Sequence, residues 1–237
     1  MKNPFSYLTI FILLVSSQKF YGQTMEFKDF DDAFKKELIE DNNALKERIS
    51  NFPQVAKDIN SQISSQVRQK NYSEALFLAN KLDSILPNNA DVKNFKAKMS
   101  IRLDDYENAL NLFSEAIKLL PQNKWFYISK AGLLAEMGKY DEALLLAEAL
   151  INLDTNWSLS YYLKAIVLAN KNKENESLIE LEKAINAEPK SAMIYVGRGD
   201  LYLKLGKKNK AIEDYNNSLQ IQPNYILASE RLLTLKD

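Results

Sequence analysis

The chain has 237 residues, and its 31 Lys and Arg residues balance 31 Asp and Glu residues, so the formal net charge is zero. This balance gives the chain no overall positive charge that would attract nucleic acid, and although a local basic face remains possible, nothing in the sequence points to one, so we expect no nucleic-acid partner. The chain contains no Cys and no His, which excludes disulfides, thiolate zinc sites and catalytic triads built on His. We therefore expect a protein that is not an enzyme and that has no metal site and no cofactor.

Residues 1–22 have the pattern of a secretory signal peptide. Lys2 is followed by an uncharged and mostly apolar run over residues 5–15, and the chain then turns polar before a small residue, Gly22. The run is shorter than the ~20 residues that a membrane-spanning helix needs. We predict an exported protein, periplasmic or secreted, with no membrane span in the mature chain. The alternative is an uncleaved segment that tethers the chain to a membrane.

Residues 23–55 are expected to be helical. Aromatic and aliphatic side chains recur between Phe27 and Phe52 at helical spacing. The acidic residues Asp29, Asp31 and Asp32 suit a helix N-terminus, where the helix dipole favours negative charge. Two interpretations stay open, because the segment can be a helical cap or a degenerate additional repeat.

From residue 53 onward the prolines fall on one 34-residue period. They are Pro53, Pro87, Pro121, Pro189 and Pro223, and Thr155 stands at the position where the series lacks a proline. Twelve positions earlier in each unit a small residue recurs: Ala75, Ala109, Ala143, Ser177 and Ala211. Such a period indicates a repeat architecture. In each unit the apolar spacing predicts two helices, and Pro ends the second.

The last unit shows the pattern most fully, with Tyr195, Gly199, Tyr202, Gly206, Ala211, Tyr215 and Pro223 in register. This register resembles the tetratricopeptide repeat family. The resemblance implies an all-α fold, an α-solenoid of stacked helix-turn-helix repeats that forms a right-handed superhelix. It implies five repeats, at 56–89, 90–123, 124–157, 158–191 and 192–225. Residues 226–237 should form a capping helix whose apolar side is Leu227, Leu232, Leu233 and Leu235.

The resemblance also implies that the first helix of each repeat lines a concave groove. Its inward positions provide an apolar set of candidate binding residues, Trp125, Ile128, Leu159, Tyr162, Ile166, Met193 and Val196, and a basic pair, Lys98 and Arg102. An exposed apolar patch of this kind usually marks an interaction site. The alternative is that these side chains pack inside the superhelix or against the N-terminal helices.

These patterns together favour an interaction protein. We predict an exported adaptor or scaffold that binds a peptide or a partner protein in the concave groove. The alternative is a structural subunit of a cell-envelope assembly complex, in which the same surface is permanently covered. The sequence specifies neither the identity of the partner nor the oligomeric state.

Overall fold

The computed structural model describes residues 19–20, 23–24 and 30–235 of the chain. Except for residues 19–20, the predicted signal peptide lies outside the described residues. Two short strands, β1 (Lys19–Phe20) and β2 (Gln23–Thr24), pair antiparallel, with Lys19 opposite Thr24. From residue 32 onward the described chain is built from α-helices.

The helices of the described residues follow one another in pairs. They are α1 (Asp32–Ser50), α2 (Gln54–Arg68), α3 (Tyr72–Ile85), α4 (Ala90–Arg102), α5 (Tyr106–Leu119), α6 (Lys124–Glu136), α7 (Tyr140–Leu153), α8 (Ser158–Asn170), α9 (Glu174–Ala187), α10 (Ala192–Lys204), α11 (Lys208–Ile221) and α12 (Ile226–Thr234). Helices α2 to α11 form five pairs. The predicted all-α fold of stacked helical repeats is confirmed, and the handedness of the superhelix stays a prediction.

The same backbone turn joins the two helices of every pair. A residue with positive φ stands there at 34-residue intervals: Lys70, Asp104, Gly138, Asn172 and Gly206. The N–H of the following residue donates to a carbonyl five residues back, as from Lys207 to Tyr202 at 2.8 Å. This bond closes the helix end only if the preceding residue is left-handed, a conformation that glycine adopts without a Cβ clash. In three repeats the left-handed residue is Lys70, Asp104 or Asn172 in place of glycine, and its Cβ strains the backbone there.

Small side chains allow the two helices of each pair to approach closely. Ala75, Ala109, Ala143, Ser177 and Ala211, the periodic small residues of the second helices, are all fully buried. Ser177 replaces Ala in the fourth repeat, and its hydroxyl is satisfied because it donates to the carbonyl of Ala165 at 2.7 Å. The sequence period therefore reports a real packing constraint.

The described helices divide into two compact units. Residues 38–133 form the first unit, and the second contains the described residues up to Glu37 and from Leu134 onward. In the first unit, Ile63, Val67, Leu82 and Met99 belong to one apolar core.

In the second unit, the buried Tyr215 donates to the carboxylate of Asp200 at 2.7 Å, and Arg231 of α12 donates to the same carboxylate at 2.9 Å. Tyr225, just before α12, and Ala228 within it are buried, whereas Leu233 is exposed. The prediction that Leu233 lies on the packed side of this helix is therefore wrong.

Candidate functional site

A short stretch at the start of the described helices, residues 30–37, is anchored to repeats four and five, and we call it the N-terminal arm. Asp31 is its main anchor. One oxygen of its carboxylate accepts from the N–H of Phe34 at 2.8 Å, which caps α1. The other accepts from the hydroxyl of Ser191 at 2.6 Å and from the N–H of Met193 at 2.9 Å, which caps α10. Asp31 is only 1% exposed, so one buried carboxylate satisfies donors from two helix starts.

Two further hydrogen bonds fix the arm. The indole N–H of Trp157 donates to the carboxylate of Glu37, and the N–H of Asp32 donates to the side-chain oxygen of Gln222 at 3.0 Å. Asp31 contacts the start of α10, whereas Glu37 contacts the residue that precedes α8. The arm therefore crosses from the first helix of repeat five to the first helix of repeat four.

The aromatic side chains of the arm are buried with it. The rings of Phe30 and Phe34 stack with their centroids 4.4 Å apart and their planes at 27°. Burial of a phenylalanine is worth ~2–3 kcal/mol in hydrophobic free energy, so these rings hold the arm more strongly than its exposed contacts do.

The apolar candidates of repeats four and five are also buried. Each is at most 6% exposed; they are Leu159, Tyr162, Ile166, Met193 and Val196. Tyr162 covers Gly197 of the next repeat, where an added Cβ would stand 2.7 Å from the tyrosine ring. The expectation that these side chains form an exposed patch is therefore wrong. The structure instead agrees with the alternative in which they pack within the repeats.

The remaining candidates belong to the first unit. Trp125 and Lys98 are buried, and Ile128 and Arg102 are half-buried. The guanidinium of Arg102 lies 5.8 Å from the centroid of the Tyr72 ring, within the range of a cation–π contact.

The later turns of α1 carry charged groups that contact repeat two. Arg48 donates to both carboxylate oxygens of Asp91, at 2.7 and 2.9 Å. Asp41 interacts with the charge of Lys98 and hydrogen-bonds with Asn123. Burial raises the pKa of Asp41 to about 6 and lowers the pKa of Lys98 to about 8. Both groups are therefore charged at neutral pH, but burial has shifted the pKa of each toward neutrality, so a smaller change in pH removes the charge than for a solvated group.

Sequence reasoning missed the residues of the arm and their partners. The acidic opening of the segment indicated a helix cap, and Asp31 does cap α1. No local pattern indicated that the same carboxylate caps α10, which is 160 residues away along the chain. Trp157 has an unusual position just before a helix, but the sequence offered no partner for its indole N–H.

The described residues show two absences that bear on the chemistry. In residues 30–235 no three Asp, Glu, Cys or His side chains come together to form a metal-binding group. Among the helices that the structure describes, none is both long and apolar enough to cross a bilayer.

Stacked helix pairs with a face that holds a helical segment define an α-helical repeat protein of the interaction class. Three family models, each described as a tetratricopeptide repeat, match residues 100–166, 159–191 and 192–225. Together they cover just over half of the chain. The chain is therefore a tetratricopeptide repeat protein, and the resemblance seen in its register is confirmed.

No curated protein sequence matches the chain. Among solved structures, MamA from Desulfovibrio magneticus RS-1 is 18% identical with a TM-score of 0.60, and the match covers 73% of this chain and 98% of that one. TTC0263, a thermophilic TPR protein from Thermus thermophilus, is 16% identical with a TM-score of 0.59, over 76% and 97% of the two chains. YrrB, described as a TPR protein with an unusual peptide-binding site, is 18% identical with a TM-score of 0.52, over 71% and 87%. At these identities the likeness shows a shared fold.

Proposed function

We propose that the chain is a protein-protein interaction module and that the first helices of repeats four and five bind the start of a partner helix. The N-terminal arm carries this proposal, because the starts of α8 and α10 already hold such a segment in the structure. The arm occupies the face in the absence of a partner, and a partner segment displaces it. YrrB, which has the same fold, is described as having a peptide-binding site, and this is consistent with the proposal.

The contacts of the arm indicate the chemistry of the partner segment. The start of α10 offers the hydroxyl of Ser191 and the N–H of Met193, at the positive end of the helix dipole. This pair favours a carboxylate. The indole of Trp157 offers one more donor, and the arm meets it six residues later with Glu37. The partner should therefore present an acidic cap, an aromatic residue one helical turn on, and an acceptor at the second turn.

The candidate residues acquire a role in this proposal. Leu159, Tyr162, Ile166, Met193 and Val196 form a buried floor that becomes accessible when the arm leaves. The other candidates belong to the first unit, with Lys98 and Arg102 in repeat two and Trp125 and Ile128 in repeat three. Of these, Lys98 interacts with Asp41 of α1. Buried aromatic residues usually supply much of an interface's energy, so Tyr162 is the residue of repeats four and five whose truncation should weaken binding most.

A peptide in trans tests the proposal. A fluorescent peptide of residues 30–50 should bind the full chain more tightly when the chain carries Asp31→Ala, because its own arm then competes less. In that background Tyr162→Ala should cost ~2 kcal/mol or more, about thirtyfold in affinity. Fluorescence anisotropy measures binding, and circular dichroism checks the fold of each variant.

The control for the peptide test is Leu145→Ala, on an exposed side chain of a second helix. We expect it to leave the peptide affinity unchanged. The proposal is contradicted if Leu145→Ala weakens binding as much as Tyr162→Ala does. Equal peptide binding by wild type and by Asp31→Ala contradicts the competition between arm and partner.

We further propose that this module acts outside the cytoplasm, as an exported adaptor. The support is the charge of Lys2 followed by the short apolar run over residues 5–15. Intact mass of the protein from its host should show the loss of about 22 residues. A membrane-bound form that retains Met1 contradicts cleavage and favours the tethered alternative.

The second candidate function is a structural subunit of a cell-envelope assembly. It is favoured by apolar side chains on the second helices, where Leu145 is 71% exposed and Ile179, one repeat later, is 54% exposed. Exposed apolar residues at a repeated position suit a permanent contact. A double variant with Leu145→Asp and Ile179→Asp should dissociate from a structural complex. The same variant should bind the peptide as wild type does. This role is contradicted if the native complex elutes from size-exclusion chromatography at the same volume with the double variant as with wild type.

A further inference from the structure

In the first unit, a cavity of about 80 Å³ lies between the later turns of α1 and the helices α2 and α4. Helix α1 contributes Leu45 and Ile49 to its wall, α2 contributes Ile63, and α4 contributes Val92 and Phe95. Leu45 and Ile49 are only half-buried. Apolar side chains that line a void lose the packing contacts that a neighbour would supply. A helix with a larger side chain at this place would therefore fit α2 and α4 better than α1 does.

Two charged contacts set the register of α1 on α4. Arg48 donates to both carboxylate oxygens of Asp91. About two helical turns away, Asp41 interacts with the charge of Lys98. The order of these contacts along the two helices shows that they run antiparallel here. Repeat two therefore presents an anion and a cation to a helix that carries an arginine and an acidic residue at the same spacing.

The middle of this register contains a mismatch between a polar and an apolar side chain. The register places Leu45 opposite Asn94, and both line the cavity. The amide oxygen of Asn94 is buried and accepts no hydrogen bond from any residue that the structure describes. Leucine has no donor to offer, and a buried acceptor without a donor costs free energy. Tryptophan has both a larger side chain to fill the cavity and a neutral N–H to satisfy the oxygen.

We propose that α2 and α4 form a second docking site for a partner, an amphipathic helix with an acidic residue, a tryptophan and an arginine at the places of Asp41, Leu45 and Arg48. The acid and the arginine meet the charges of repeat two as those of α1 do. The indole fills the cavity and donates to Asn94. The later turns of α1 are the weaker ligand and are displaced. None of these groups anchors the N-terminal arm, so this proposal and the one for repeats four and five can fail separately.

A labelled peptide of residues 38–52 tests the site in trans, because it lacks the arm. Fluorescence anisotropy measures its binding to the full chain with Arg48→Ala, in which the later turns of α1 are held less firmly. The peptide with Leu45→Trp should bind about tenfold more tightly than the unchanged peptide, because it fills the cavity. The peptide with Ala44→Trp carries the same ring on an exposed position and should gain nothing. Tyr162→Ala in the chain, which tests repeats four and five, should leave the binding of this peptide unchanged.

A second comparison isolates the hydrogen bond to the indole. A benzothienyl ring in place of the indole of the Leu45→Trp peptide keeps the size of the side chain but removes the N–H. This peptide should bind about fivefold more weakly than the one with the indole. Asn94→Ala in the chain should abolish the difference between the two rings. Circular dichroism shows whether each variant of the chain is folded.

The outcomes that overturn the proposal concern the same peptides. It is overturned if the Leu45→Trp peptide binds no more tightly than the Ala44→Trp peptide, or if neither binds the chain. It is also overturned if a folded Asn94→Ala chain still prefers the indole to the benzothienyl ring.

Discussion

Replacing Asp31 by Ala should release the N-terminal arm and destabilise the start of α10. The change leaves two buried backbone donors, the N–H groups of Phe34 and Met193, without their acceptor. Loss of a helix cap costs ~1 kcal/mol, and an unpaired buried donor costs ~1–3 kcal/mol. We therefore expect a loss of about 2–4 kcal/mol in the free energy that holds the arm on its face. The loss cannot exceed the free energy of docking, because the arm can detach and let water satisfy the donors.

Hydrogen exchange is the assay that separates this local effect from global unfolding. In Asp31→Ala, amide exchange should accelerate in residues 30–37 and at the start of α10, with little change in the first unit. Urea unfolding followed by circular dichroism gives the accompanying change in overall stability. Asp31→Asn keeps one carbonyl acceptor and should have an intermediate effect.

The neighbouring Asp32 provides a matched control. Its side chain is 81% exposed, and its ion pair with Lys35 is long, at 3.9 Å. Exposed pairs of this kind contribute less than ~1 kcal/mol, so Asp32→Ala should leave exchange in the arm nearly unchanged. The reasoning is refuted if Asp31→Ala and Asp32→Ala give the same exchange pattern, or if α10 is unaffected when the arm is released.

The remaining predictions concern packing and pH. Ala143→Leu should overpack a fully buried position and cost ~1–3 kcal/mol, and an unchanged thermal unfolding midpoint would contradict the repeat register. Gly199→Ala would place a Cβ 2.6 Å from the ring of Tyr215, so the cost of overpacking should exceed the ~1 kcal/mol gained in helix propensity. Calorimetry should show a lower thermal unfolding midpoint for this variant. The midpoint should fall less when Gly199→Ala is made in a Tyr215→Leu background. The pKa of Asp41 rises from 3.8 to about 6 on folding, so between these two pH values the folded state binds more protons than the unfolded state does. The free energy of unfolding should therefore fall by about 3 kcal/mol as the pH rises from the lower pKa to the higher one. Urea titrations at several pH values check this, and a slope that persists in Asp41→Asn would assign it to another group.

The repeat could be predicted because each of its constraints is local. The close approach of the paired helices requires a small side chain, and the left-handed turn requires a permissive residue, once every 34 residues. The left-handed turn persists even where the sequence departs from the pattern. Asn172 stands at the position of the turn glycine and has a φ of 58°. The substitution of Ala by Ser177 was equally visible, but the hydrogen bond that makes it tolerable was not.

The occupied face could not be predicted in the same way. Inward positions predicted from the repeat register are exposed only if nothing else in the chain covers them. Whether the arm docks on repeats four and five depends on contacts between distant parts of the chain, such as that of Asp31 with Ser191, and helical periodicity carries no information about them. The acidic residues that open α1 predicted a single cap, because one carboxylate that caps two helices has no distinctive spacing.

The double cap formed by Asp31 also has a consequence for the order of synthesis. Its two partners are separated by 160 residues, and at ~5–20 residues per second a ribosome needs about 10–30 s to make that length of chain. For that time Phe30 and Phe34 have no face on which to pack, although they are among the first apolar residues of the helical region to emerge. A nascent chain therefore exposes an apolar aromatic segment before repeats four and five, to which the arm binds, have been synthesised. A chaperone that recognises exposed aromatic residues would bind the arm before those repeats form.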